Sequence, residues 1–163
     1  MIEIQRDTEM LLFRYRDYGK TDFITEHIKV IQSSGHVWML KIGKKTSENK
    51  LNQILASGGW LILRAPKAKG SKSYIAQFTD FSDEEPEDMV YPEYYNTILE
   101  DDEGEYYGSH TVYQWFCLKS ITPIPAKDSE ALVLSKTNKN VNDVIGTTRT
   151  AVMYVRNEQV IIV

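Results

Sequence analysis

Apolar and polar positions follow regular patterns in three segments of the first third of the chain. Residues 10–16 alternate between two faces, which predicts a strand with one covered face. The two faces carry Leu11, Phe13 and Tyr15 on one side and Leu12, Arg14 and Arg16 on the other. Apolar residues then recur at helical spacing up to residue 34, which predicts a helix that Thr21 or Asp22 caps and Gly35 ends. Residues 36–42 predict a second strand.

The middle of the chain predicts a helix followed by a strand pair. Residues 48–56 place their apolar side chains at helical spacing, and a Gly-Gly pair at 58–59 breaks the helix. Residues 60–65 and 73–79 are strand-like runs on either side of a basic turn, residues 66–72. We expect these two strands to pair antiparallel.

The last third predicts further strands. Residues 111–118 form an apolar run with strand composition. Residues 129–134 predict a short helix or strand, and residues 148–155 and 159–163 predict a hairpin around Asn157.

Together these segments predict an α+β fold. About seven strands and two clear helices, joined mostly by turns, are typical of antiparallel strands with helices packed at the ends. The pattern therefore predicts a curved sheet or a small β-barrel. The length of 163 residues predicts one domain that spans residues 1–163.

Composition narrows the class of protein. Hydrophobic residues make up 42% of the chain and charged residues 26%, as in ordinary globular proteins. No apolar run reaches the ~18 residues that span a bilayer, and the first residues lack a secretory pattern. We therefore expect a cytoplasmic protein without a membrane partner. The single Cys117 excludes an intramolecular disulfide and a multi-cysteine zinc site.

No motif in the sequence predicts catalysis. His27, His36 and His110 lie far apart and match no metal-binding spacing. The chain has no phosphate-binding glycine loop and no nucleophile elbow. The sequence thus predicts a protein without enzymatic activity, catalytic residues, metal or cofactor.

Charge is separated along the chain. Residues 80–105 hold twelve acids and no basic residue, and the remainder holds all 19 basic residues and 11 acids. The remainder has a balance of +8, although the net charge of the chain is −4. Two interpretations stay open: a basic surface that attracts phosphates, or solvated lysines beside a solvated acidic loop. The turns that follow or join predicted strands concentrate five lysines: Lys44, Lys45, Lys67, Lys69 and Lys72.

Aromatic side chains are the other candidate binding groups. The long acidic segment, residues 80–108, contains five tyrosines among charged neighbours: Tyr91, Tyr94, Tyr95, Tyr106 and Tyr107. Trp38 and Trp60 lie on predicted strands, where core packing and base stacking are both open. Asn49 has the paired donor and acceptor that read a base edge, or it belongs to the start of a helix.

Three blocks in order resemble the YTH and EVE domains of the PUA-like superfamily. The blocks are the strand 36–42 with its polar loop, the Lys50-Leu-Asn-Gln helix with Trp60-Leu-Ile-Leu and the hairpin to Phe78, and the strand 112–119 with Ile121-Thr-Pro-Ile. Residues 145–154 match the last barrel strand of the family more loosely. The resemblance covers about residues 35–155 and leaves residues 1–34 as an N-terminal strand-helix extension.

The resemblance implies a PUA-like barrel that binds nucleic acid and flips a modified base into an aromatic pocket. Stacking on aromatic faces restores ~1–3 kcal/mol per flipped base. Such domains occur at the N-terminus of McrB-type restriction proteins. The implied function is a reader of methylated DNA that works with a fused or associated nucleotide-hydrolysing or nuclease component. An RNA-binding PUA-like module and a protein-interaction domain that uses the acidic, Tyr-rich loop remain the alternatives.

The resemblance also assigns residues. The family's usual pocket tryptophan is absent, because residues 43–49 contain no aromatic side chain, and the tyrosine cluster is the implied substitute. The predicted base pocket consists of Trp38, Trp60, Tyr91, Tyr94, Tyr95 and Asn49. The predicted contacts to the nucleic-acid backbone are Lys41, Lys44, Lys45, Lys67, Lys69, Lys72, Lys136 and Lys139.

Overall fold

A computed structural model describes residues 1–101 and 113–163, which form nine strands and five α-helices. The strands are β1 (Glu3–Ile4), β2 (Glu9–Arg14), β3 (Val37–Ile42), β4 (Trp60–Arg64), β5 (Ser73–Ser82), β6 (Tyr113–Pro123), β7 (Leu132–Leu134), β8 (Val152–Asn157) and β9 (Ile161–Ile162). The helices are α1 (Phe23–Ser34), α2 (Glu48–Ala56), α3 (Tyr95–Asp101), α4 (Ala126–Glu130) and α5 (Val141–Val144). The tyrosines Tyr106 and Tyr107 and the histidine His110, all named above, lie outside the described residues.

Seven strands form one mixed sheet, which confirms the α+β class. Their order is β3-β6-β5-β4-β2-β8-β7, and β1 pairs separately with β9. Within the described part of the chain, β3 and β7 stand at the two ends of this order, and no pairing joins them. The small barrel is therefore not confirmed.

One strand pair departs from the antiparallel arrangement that the sequence predicts. β2 and β4 run parallel, with Leu11 opposite Leu61 and Arg14 opposite Arg64. Parallel neighbours need a long crossover connection. Here the connection contains α1, β3 and α2, so no local turn signal in the sequence indicates the pairing.

The predicted hairpin around Asn157 is wrong. β9 pairs with β1, through Ile161 opposite Ile4, while β8 pairs with β2 and β7. The Asn157 amide explains the difference, because it holds the N-terminal segment instead of closing a turn. Its Nδ2 donates to the carbonyl of Gln5 at 2.9 Å, and its Oδ1 accepts from the Thr8 N–H at 3.0 Å.

The predicted limits of the first helix are confirmed. The Asp22 carboxylate accepts from the Thr25 N–H at 2.8 Å, which satisfies one of the free donors of the first turn. Gly35 ends the helix at a φ of 81°, and its N–H donates to the Ile31 carbonyl. Gly supplies this left-handed conformation without a steric cost.

The chain divides into two compact units. Unit 1 contains Met1–Arg16, Asn52–Gln77 and Ile121–Val163, and unit 2 contains Asp17–Leu51 and Phe78–Ser120. The core of unit 1 is mainly aliphatic around Trp60, with Met10, Leu12, Ile62, Ile75, Leu132 and Val155. The core of unit 2 is aromatic, with Trp38, Tyr95 and Trp115 packed beside Leu40 and Cys117. None of the helices in the described ranges is long and apolar enough to span a membrane.

The turn between α2 and β4 requires glycine for a steric reason. Gly58 has a φ of +121°, and a Cβ on it would lie 2.5 Å from Nε1 of the buried Trp60. Gly43 has a similar φ of +114° with nothing within 4 Å of its Cβ position. The two sites therefore share the backbone strain of an alanine substitution and differ in the clash with the indole.

We expect Gly58→Ala to lower the free energy of unfolding by about 2 kcal/mol more than Gly43→Ala, because overpacking a core costs ~1–3 kcal/mol. Urea denaturation of both variants at pH 7 measures the difference. Equal losses in the two variants would show that Trp60 moves aside freely.

Candidate functional site

Unit 1 contains a cleft of about 760 Å³ whose lining is strongly basic. Five cationic side chains line this basic cleft: Arg14, Arg16, Arg64, Lys67 and Arg149. The other lining residues are neutral, and among the described residues no Asp or Glu lines it. A concave surface of one charge sign concentrates counter-ions, so this cleft is suited to an anionic ligand.

The parallel strand pair creates the centre of the basic cleft. Arg14 is the last residue of β2 and Arg64 the last of β4, and the two are register partners. Paired residues of neighbouring strands project from the same face of a sheet, which brings both guanidinium groups to one edge. Ser73 on β5 continues the row as the register partner of Arg64.

Arg64 is the most buried of the five cations, with 9% of its surface exposed. Its guanidinium donates to three neutral acceptors: Asn142 Oδ1 at 2.9 Å, Ser129 Oγ at 3.2 Å and Ser73 Oγ at 3.4 Å. Burial, and then the nearby charge of Arg14, lower the pKa of Arg64. An arginine nevertheless remains protonated in proteins, so the site carries a positive charge that burial makes costly.

Arg14 is oriented by a backbone group. Its Nη1 donates to the Thr148 carbonyl at 2.7 Å, in the segment that precedes β8. None of the ion pairs between described residues includes Arg14 or Arg64. Two neighbouring guanidinium groups without a protein carboxylate repel each other, and an anion between them would remove the repulsion.

The other three cations form an exposed rim. Arg16 follows β2, Lys67 lies in the single 3₁₀ turn after β4, and Arg149 lies in the segment before β8. All three are exposed to solvent. The basic cleft thus combines a floor, formed by the buried Arg64 and the partly buried Arg14, with an exposed charged rim.

The predicted backbone lysines are distributed over both units. Lys67 lines the basic cleft, and Lys72 lines a neighbouring cavity of about 540 Å³ that Arg64 also reaches. The remaining exposed ones lie outside both cavities: Lys44, Lys45, Lys69, Lys136 and Lys139. Lys45 forms an ion pair with Asp83 at 3.1 Å.

Lys41 differs from the other predicted lysines because it is buried, with 3% of its surface exposed. Its Nζ donates to the Lys44 carbonyl. Burial lowers the pKa of Lys41 to about 8, and the charge of Lys44 adds to the effect. This position leaves little of the ammonium group accessible to a phosphate.

The residues of the predicted base pocket do not form one group. Trp38, Tyr91, Tyr94 and Tyr95 belong to the aromatic core of unit 2, whereas Trp60 is buried in unit 1. Asn49 lies exposed on α2. Within unit 2, the Tyr91 ring stacks on Tyr95 at 5.8 Å and lies 5.6 Å from Trp115. These aromatic faces are in contact with one another.

A hydrogen-bonded histidine anchors the aromatic core of unit 2. His27 is fully buried, and its Nδ1 lies 2.7 Å from the Phe23 carbonyl, so this nitrogen carries the proton. Its Nε2 then accepts from the Tyr95 hydroxyl at 2.5 Å, and that hydroxyl accepts from the Leu40 N–H at 3.1 Å. In this arrangement, with Nδ1 protonated and Nε2 accepting, the imidazole is neutral.

Sequence reasoning missed four of the five cations of the basic cleft: Arg14, Arg16, Arg64 and Arg149. The signal for Arg14 and Arg64 was an arginine at the end of an apolar strand, in Leu11-Leu-Phe-Arg and Leu61-Ile-Leu-Arg. This signal acquires meaning only when the two strands are known to be parallel neighbours. No group of three or more His, Cys, Asp or Glu suited to a metal occurs within residues 1–101 and 113–163.

No protein-family model, curated protein or solved structure matches this chain. The candidate site therefore rests on its own geometry and charge.

Proposed function

We propose that this protein binds nucleic acid and that the basic cleft contacts the phosphate groups. The observation that carries the proposal is the lining of the cleft, which contains five cations and no acid among the described residues. Four of the five are arginines, whose planar fork matches two oxygens of a phosphate. The three rim cations extend the positive surface beyond the size of one phosphate, which favours a polyanion as the ligand.

A more specific proposal concerns a chemical modification on the bases of the nucleic acid. The sequence blocks that resemble YTH and EVE domains support a non-enzymatic reader of a methylated base, with DNA favoured over RNA and a small barrel as its framework. In this proposal the cleft holds the backbone, and the methyl group of the base increases the affinity. Matched methylated and unmethylated oligonucleotides test it, and equal affinities at several salt concentrations would contradict base reading while leaving nucleic-acid binding intact.

The rim offers a clean test of the broader proposal, since exposed residues can be changed without disturbing the core. We expect Arg16→Gln combined with Arg149→Gln to weaken binding to DNA and RNA of any sequence. The slope of the logarithm of affinity against the logarithm of salt concentration should fall by about two, one for each lost phosphate contact. Fluorescence anisotropy with labelled oligonucleotides from about 50 to 300 mM NaCl measures both quantities.

The matched control is Lys119→Gln combined with Lys127→Gln, which removes the same charge from exposed positions outside the cleft. We expect this control to retain the slope of the wild type. A third pair, Lys136→Gln with Lys139→Gln, tests the loop that the sequence predicts as a backbone contact. Equal slopes for the rim variant and the control would reject the basic cleft as the phosphate contact.

A further inference from the structure

The floor of the basic cleft has unused hydrogen-bonding capacity. A guanidinium has five N–H donors. In Arg64, Nη1 serves the two serine hydroxyls and one Nη2 donor serves Asn142. Its Nε–H and one Nη2–H have no acceptor among the described residues. Arg64 therefore keeps two N–H donors that an oxyanion could accept from.

The charge of the floor favours an anion of more than one negative charge. Arg14 and Arg64 are register partners, and neither has a carboxylate partner in residues 1–101 or 113–163. An internal phosphodiester carries one negative charge. A phosphate monoester carries ≈ 1.5 to 2 negative charges at pH 7, so it neutralises both guanidinium groups, whereas a diester leaves one of them uncompensated.

Access to the floor also distinguishes a chain end from the middle of a chain. Arg64 exposes 9% of its surface, and the hydroxyls of Ser73 and Ser129 lie against it on the protein side. A diester has substituents on two of its oxygens, and both strands would have to leave through the open side of the cleft. A monoester has one substituent and can enter with its three free oxygens first. The rim cations are then placed for the phosphates that follow.

We propose that Arg14 and Arg64 form a binding site for a terminal phosphate monoester, so that the protein recognises the phosphorylated end of a nucleic-acid chain. This inference rests on the proposed nucleic-acid binding and specifies its ligand. The same chemistry occurs in a free nucleoside monophosphate, which the experiment below separates from a chain end.

The test compares three 3′-labelled, single-stranded DNA oligonucleotides of one sequence, with a 5′-phosphate, with a 5′-hydroxyl, or with the 5′-phosphate blocked as a methyl ester. We expect the 5′-phosphate to increase affinity at least tenfold over both others at about 100 mM NaCl, which corresponds to ~1.4 kcal/mol. Arg64→Lys keeps the charge and loses the fork. The ratio of the affinities for phosphorylated and hydroxyl ends should therefore fall toward one in this variant, and Lys119→Gln should keep the wild-type ratio.

Each outcome separates the two proposals. Equal affinity for all three oligonucleotides would overturn the terminal-phosphate site and leave nucleic-acid binding in place. A second outcome is that no oligonucleotide binds, while AMP raises the unfolding temperature of the protein and adenosine does not. This result would overturn nucleic-acid binding and assign the site to a free nucleotide. No binding and no stabilisation by AMP would overturn both.

Discussion

Replacing Arg14 and Arg64 together by glutamine is expected to lower affinity for a 5′-phosphorylated oligonucleotide by about 100-fold. Hydrogen bonds to charged groups contribute ~1.5–3 kcal/mol each, so two lost contacts at the lower limit amount to about 3 kcal/mol. The fold should tolerate the change, since it removes two like charges at neighbouring register positions. Anisotropy titrations measure the affinity, and thermal unfolding without ligand confirms that the variant is folded.

The single variants Arg14→Gln and Arg64→Gln show whether the two arginines contact the same phosphate group. If both arginines hold one phosphate group, their effects are coupled, and the double variant loses less affinity than the sum of the two single losses. Lys119→Gln combined with Lys127→Gln again controls for the removal of two positive charges. Strict additivity would mean that Arg14 and Arg64 contact separate phosphates, and an unchanged affinity in the double variant would exclude the floor as a ligand contact.

Acidification should destabilise the protein through His27. Burial lowers the pKa of His27 from 6.5 to about 4, against the smaller opposing effect of the hydrogen bond to Phe23. Below pH 6.5, His27 therefore binds a proton in the unfolded chain, whereas in the folded chain it remains neutral down to about pH 4. Stability from the neutral imidazole is complete above pH 6.5 and falls through this window, by about 3 kcal/mol in total.

Urea denaturation between pH 7 and pH 4 measures this loss. His27→Gln is expected to start from a lower stability, because it breaks the contacts with Phe23 and Tyr95, and to lose less on acidification. His36→Gln is the matched control, since His36 is partly exposed and contacts Asp88 at its surface. NMR titration of the wild-type imidazole gives an independent value for the pKa of His27. A pKa near 6.5 would contradict the buried neutral histidine.

Local elements of the fold follow from the sequence because their causes are local. The Asp22 cap, the Gly35 end and the helix at residues 48–56 depend on side chains within a few positions of each other. The pairing of β2 with β4 depends instead on a crossover through three other elements, and it has no signature in either strand. The same holds for β9, whose partner β1 lies at the opposite end of the sequence.

This difference explains why the candidate site escaped prediction. Lysines in turns attract attention in a sequence because they are clustered, and Lys67 does line the basic cleft. The arginines were less visible, because Arg14 and Arg64 each stand alone at the end of an apolar run. Tryptophans and tyrosines, in contrast, are prominent in the sequence because their side chains are large and aromatic. Bulky aromatic side chains dominate the cores of proteins as readily as they form binding surfaces.

The crossover between β2 and β4 has a consequence for synthesis of the protein. The lining of the basic cleft comes from three stretches of sequence, residues 14–16, 64–71 and 142–151. A nascent chain therefore lacks part of the site until nearly all of these residues have left the ribosome. A translation intermediate that ends before residue 142 consequently carries Arg14 and Arg64 without the residues of 142–151 that complete the lining of the cleft.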